Sequence, residues 1–190
     1  MSVLDKLRDL GGCTGGIYIY EAAKQAAKIR NVGRNERKLK PETICRLGRL
    51  FPNLDLNKVS FYINCTLPAE WFQSPDITDA MTFGYKIYFK GSNIQKTDEG
   101  LLLLMHELVH VDQVRRRGDS ETRFACDYGV GYLQAGNYLD NPLEVEARDF
   151  VDNQPLPSPC VYDPERGVWV QREDAIKAKW LEPVLNIMMG

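Results

Sequence analysis

Apolar residues recur at helical spacing in the middle of the chain. Leu101, Leu104, Met105, Leu108 and Val111 share one face of a 3.6-residue repeat, which predicts a helix over 97–116 with that face in the core. Thr97-Asp98-Glu99 supplies a cap and an acidic first turn, and Arg115-Arg116-Arg117-Gly118 puts positive charge and a glycine at the other end. Residues 21–30, rich in Ala and Lys, read as a helix. So do residues 41–50, with Pro41 in the first turn and Pro52 just past the end. Asn141-Pro142 starts a further helix to about residue 152, which the prolines at 155, 157 and 159 must end, and a last helix begins near Arg172. Val59-Ser60-Phe61-Tyr62-Ile63 reads as a strand, while residues 81–89 alternate imperfectly, as a hairpin or a strand bulged at Gly84. Gly11, Gly12, Gly15 and Gly16 around Cys13 read as a loop. Strands in the first half and helices in the second predict the α+β class.

Composition narrows this further. The 190 residues are 44% apolar and 26% charged, an ordinary globular balance that excludes disordered and low-complexity classes. We read residues 1–190 as one domain, with a helical region at 1–53, a core at 54–152 and an extension at 153–190. No apolar run approaches the ~20 residues of a membrane span, so no membrane partner is expected. Residues 1–9 mix charge with leucine and lack an apolar signal core, which predicts a cytoplasmic protein, or one released without a classical signal peptide. The five cysteines form no Cys-x-x-Cys pair and read as free thiols in a reducing compartment. Net charge is −2, although nine Lys/Arg face only Glu36 and Glu42 between Lys24 and Arg49. Without interleaved aromatics that stretch reads as a solvated basic face, and no nucleic-acid partner is expected. The apolar tail from Trp180 to Met189 reads as docked on the body of the chain.

The chemistry concentrates on the central helix. His106 and His110 are the chain's two histidines. A four-residue step turns 400°, so they stand about 40° apart around the axis and one turn apart along it, where two imidazoles converge on one metal ion. Glu107 lies about 100° from His106, too far round to join as an obvious ligand but placed to take a proton from water at the metal. His106-Glu107-Leu108-Val109-His110 is thus a His-Glu-x-x-His element, and Gln113 shares the histidine face. The third ligand must be a carboxylate or thiolate. Glu144 and Glu146 flank the apolar stripe of the 142–152 helix at nearly equal angles, so periodicity leaves both open, and Glu144 could instead close a capping box after Asn141.

Phe83-Gly84-Tyr85-Lys86-Ile87-Tyr88-Phe89, residues 101–113 and residues 141–150 together resemble the bacterial zincin-like metallopeptidase domain of unknown function. Its members are often associated with extracellular contractile injection systems. The resemblance covers residues 54–151. It implies a small N-terminal sheet with an edge strand beside a cleft, and a helical C-terminal half carrying the His-Glu-x-x-His helix. It also implies zinc as cofactor, a peptide or protein substrate and association with a secretion or injection apparatus. That family is similar to the gluzincins, whose third ligand opens a Glu-x-x-Ala element. Glu144-Val145-Glu146-Ala147 matches it and favours Glu144 as the metal ligand, although Arg148 stands where such peptidases often carry Asp or Asn. The strand at 87–89 is implied to border the cleft and to pair with an extended peptide. Zincins often stabilise the oxyanion with a further histidine or a tyrosine. No histidine remains, so a tyrosine or an arginine must serve; Tyr128, Tyr132 and Tyr138 are the candidates, of which we take Tyr132. Asp112 and Gln113 are candidates for orienting the site.

The resulting expectation is a zinc peptidase with Glu107 as general base. The alternative is a catalytically inactive zinc-binding or protein-interaction module whose metal has a fourth protein ligand, Cys126 being the thiolate to check first.

Overall fold

The computed structural model describes residues 10–68 and 79–174. In chain order its elements are α1 (Gly12–Arg30), β1 (Arg37–Lys38), α2 (Pro41–Gly48), β2 (Ser60–Tyr62), β3 (Ala80–Phe83), β4 (Lys86–Phe89), α3 (Asp98–Arg116), α4 (Glu121–Ala135), α5 (Pro142–Asn153), β5 (Cys160–Asp163) and β6 (Val168–Gln171). The chain divides into two compact units, Met1–Lys38 with Lys58–Pro155 and Leu39–Asn57 with Leu156–Gly190. Among the described residues no helix is long and apolar enough to cross a membrane. The expectations for residues 1–9 and for the tail from Trp180 lie outside the described residues.

The first unit holds a four-stranded mixed sheet in the order β1-β2-β4-β3, so the α+β expectation stands. β2 and β4 run parallel, with Phe61 opposite Ile87, whereas β3 and β4 are antiparallel, with Met81 opposite Tyr88 and Thr82 opposite Ile87. Gly84, at φ 62°, makes the tight turn with Tyr85, so residues 81–89 form a hairpin, not a bulged strand. That turn corrects which strand borders the cleft. β4 is paired on both sides, and among the described residues β3 is the edge strand that packs on α3.

α3 follows its sequence closely. The Thr97 hydroxyl accepts from the Gly100 N–H, and Leu104, Met105, Leu108 and Val111 are fully buried. α1 departs from its sequence: its glycine-rich start is helix, not loop. The cause is the contact with α4. A Cβ on Gly16 would lie 2.3 Å from the Ala125 carbonyl oxygen, and one on Gly129 would lie 2.4 Å from the Gly12 carbonyl oxygen. Two helix backbones touch at these glycines, and the packing gained outweighs a propensity cost of ~1 kcal/mol per glycine. Gly129→Ala must therefore push the helices apart. We expect it to lower unfolding free energy by about 3 kcal/mol, the upper end for overpacking, measured by urea titration. An unchanged midpoint would contradict this close approach.

In the second unit α2 packs on the β5–β6 hairpin. The hairpin turn is set by Gly167 at φ 67° and by Asp163, whose carboxylate accepts from the Glu165 and Arg166 N–H groups. Four of the five cysteines are disulfide-bonded, which corrects their reading as free thiols. Cys45 pairs with Cys160 in this unit and Cys13 with Cys126 in the first, leaving Cys65 as a buried thiol. The partners are 113 and 115 residues apart in sequence, so no local spacing announces them.

Candidate metal centre

α3 and α5 bring three donors together. His106 Nε2 lies 3.2 Å from Glu144 Oε2, His110 Nε2 lies 3.4 Å from Glu144 Oε1, and the two imidazole Nε2 atoms are 3.3 Å apart. One ligand atom from each of these three residues lies within 4.8 Å of the other two, a group positioned to bind a metal ion. Asn141 caps α5 through its own side chain, which accepts from the Leu143 N–H. The Glu144 carboxylate is thereby free to face the histidines across the site, and it is 3% exposed. Glu146, equally placed by periodicity, does something else: it holds the side chains of Gln113 and Arg116.

Gln113 fixes the chemistry of His110. Its Nε2 donates to the Leu143 carbonyl and to Glu146 Oε2, each at 3.0 Å, so its Oε1 is the acceptor for His110 Nδ1 at 2.9 Å. Nδ1 thus carries the hydrogen and Nε2 faces the other donors. Support for the histidine comes from this fully buried glutamine and not from position 148, since the Arg148 guanidinium bonds the Leu139 carbonyl. Asp112 pairs with Arg115 and Arg116 on its own helix.

The electrostatics follow from burial and proximity. Burial opposes charge on His110, but the Glu144 carboxylate outweighs it, and with Glu107 and Gln113 adding to the effect the imidazole is lifted to about 9. Burial likewise opposes the Glu144 charge, yet His110 and His106 hold its carboxyl well below the usual range. Without metal, then, a protonated His110 pairs with an ionised Glu144 at neutral pH. Metal binding must expel that Nε2 proton. Affinity of the metal-free protein for zinc should therefore rise about tenfold per pH unit from pH 7 and level off above about 9. Competition with a chelator of known affinity at several pH values measures this, and a flat profile would mean that His110 is neutral beforehand.

Glu107 lies beside the triad, 4% exposed, and its Oε2 accepts from the Thr82 hydroxyl on β3 at 2.6 Å. Edge strand and central helix are tied at that carboxylate. Glu107, His110 and Glu144 line one cleft together with α1, β3 and α4. Tyr132 is in its wall, buried against Ile19. The phenols that bond Glu144 are its neighbours, Tyr128 at 2.7 Å from Oε1 and Tyr138. Burial first, and then Glu144, pushes both of these phenols up, so they stay protonated as donors. Cys126 is in its disulfide and is no metal ligand.

Two further links were not apparent in the sequence. The Tyr20 hydroxyl accepts from the Gly84 N–H at 2.9 Å and donates to Glu121 Oε2 at 2.8 Å, where Lys24 also bonds at 2.7 Å. This chain of contacts pins the β3–β4 turn between α1 and α4. The only advance signal was Tyr20 lying one helical turn before Lys24.

A family model described as the eCIS core domain matches residues 75–118, which links this stretch to proteins of extracellular contractile injection systems. The match contains β3, β4 and the His106-Glu107-Leu108-Val109-His110 element, and it ends before Glu144. No curated protein and no solved structure matches the chain.

Proposed function

We propose that the protein is a zinc-dependent peptidase of the zincin type, acting on a peptide or protein substrate in association with a contractile injection apparatus. One observation carries the reading: two imidazoles and one carboxylate converge from α3 and α5, with a second carboxylate beside them in the same cleft. Two imidazole nitrogens and one carboxylate are a donor set that catalytic zinc accepts, with the remaining position left for water or substrate. The disulfide at Cys126 takes away the first candidate for a fourth protein ligand. When bound, zinc supplies Lewis acidity and lowers the pKa of its water from 15.7 towards ~7.

The chain's own groups do the rest. Glu107, steadied by Thr82, takes the proton of the attacking water and passes it to the leaving amine. β3, an edge strand among the described residues, is where an extended substrate would pair. Tyr132 in the cleft wall serves as oxyanion donor. Tyr132→Phe should then lower kcat by about 10² with zinc content unchanged, and an unaltered kcat removes that role. The two long-range disulfides favour release over residence in the cytoplasm.

Metal analysis of the purified protein, paired with a broad peptide-library digest, tests the reading. Cleavage that stops on chelation and returns with zinc supports it. A fully zinc-loaded protein that cuts nothing in the library overturns it.

A further inference from the structure

α1 ends in a turn that holds two aliphatic side chains in water. Ile29 is 72% exposed and Val32 83%, more than any other large apolar residue described. Fraying does not account for this, because the residue between them is anchored. Asn31 is buried; its Nδ2 donates to the Ala27 carbonyl at 2.8 Å and to the Thr66 carbonyl at 3.1 Å, and its Oδ1 accepts from the Thr66 N–H at 2.9 Å. Gly33, at φ 85°, then reverses the chain, and the Arg34 N–H bonds the Asn31 carbonyl at 3.0 Å. The collar of this turn is basic. Residues 28–38 carry Lys28, Arg30, Arg34, Arg37 and Lys38, all exposed, against a single acid, Glu36. The Glu36 carboxylate accepts from the Tyr62 hydroxyl at 2.8 Å and pairs at 3.0 Å with Lys86, which brings a further cation beside the turn.

We infer that the turn between α1 and β1 is a surface anchor for an anionic lipid bilayer. Ile29 and Val32 enter the boundary between headgroups and acyl chains, while the Lys and Arg around them meet lipid phosphates and carboxylates. Exposed aliphatic residues one at a time are ordinary. A preformed pair ringed by cations is complementary to one kind of surface, apolar within and negative at its rim. Long basic side chains suit that boundary, since their stems lie along apolar material and their heads stay wet. Two aliphatic side chains bury too little area to hold a protein partner, whose stable interfaces take about 1,200 Å² or more in total. A bilayer needs no such area, because each Lys or Arg near an anionic surface adds about fivefold to binding. Nucleic acid would use the cations but would set Ile29 and Val32 against phosphates, with no aromatic ring in residues 28–38 to stack a base. The expectation of no membrane partner rests on the length needed to span a bilayer, which surface binding does not require.

Vesicle flotation of the full chain tests this, with phosphatidylcholine vesicles either pure or containing about 30 mol% phosphatidylserine. At low salt the protein should partition onto the anionic vesicles at least about 100-fold more strongly, and ~0.5 M salt should remove most of that preference. Ile29→Ser with Val32→Ser should weaken partition by at least about tenfold. Arg34→Glu with Arg37→Glu should weaken it by about 25-fold or more. All four positions are exposed, so both double variants should keep the wild-type urea midpoint. Equal flotation of the wild type with the two vesicle types overturns the anchor. Undiminished flotation of the Ile29→Ser, Val32→Ser variant also overturns it, because the aliphatic pair would then have no part in binding. Retention on immobilised polyglutamate or duplex DNA without flotation would assign the turn to an acidic protein or to nucleic acid and defeats the lipid reading. None of these outcomes depends on zinc or on hydrolysis, so the peptidase reading stands or falls separately.

Discussion

Glu107→Gln is expected to lower peptide hydrolysis by about 10²- to 10⁴-fold while each chain still takes up one zinc. The substitution removes a single chemical property. Glutamine keeps the size of the side chain, and its carbonyl oxygen can still accept from the Thr82 hydroxyl that now donates to Oε2 at 2.6 Å. The tie between β3 and α3 therefore survives. What is lost is the capacity to take a proton, which an amide lacks. Zinc retention follows because Glu107 is outside the three-donor group. Metal analysis and kcat on the same preparation read both halves. Undiminished hydrolysis would take the base role from Glu107, and loss of zinc would mean that its carboxylate helps to hold the ion.

The two histidines and Glu107 were legible because α3 combines a long apolar period, a Thr cap and a basic end, all agreeing on one helix. The donor from α5 was not fixed by periodicity, since Glu144 and Glu146 flank the same stripe. Family likeness favoured Glu144, and the packing of α5 on α3 brings it to the histidines. α4 was missed altogether. Gly129 and Gly131 mask its helical pattern, although Ser120 caps its start and Gly136, at φ 78°, ends it. Those glycines are at the centre of the helix contacts that make the cleft, so the positions that hide the helix from local reading are the ones tertiary structure needs. The disulfides were hidden for a related reason: their partners meet only after residues more than a hundred positions apart are brought together. Gln113 was placed on the correct face, but its acceptor role depends on the Leu143 carbonyl and on Glu146, which belong to another helix.

The sharpest separation of roles is expected between Glu144→Gln and Glu146→Gln. Glu144 is buried within hydrogen-bond range of both histidines, so its amide variant exchanges an anionic donor for a neutral one facing the positive ion. Stoichiometric zinc should be lost at neutral pH, as it should in His106→Ala and His110→Ala. The same change should bring His110 down from about 9, because the carboxylate that lifts it is gone. Glu146, about 42% exposed, touches no donor atom and acts through Gln113. Glu146→Gln should keep zinc but weaken it by about 10- to 100-fold, the usual effect of disturbing a group that orients a metal ligand. Zinc titration of the two variants side by side decides it. Stoichiometric zinc in Glu144→Gln together with its loss in Glu146→Gln would reverse the assignment, because the anion that neutralises the ion would then be the exposed one.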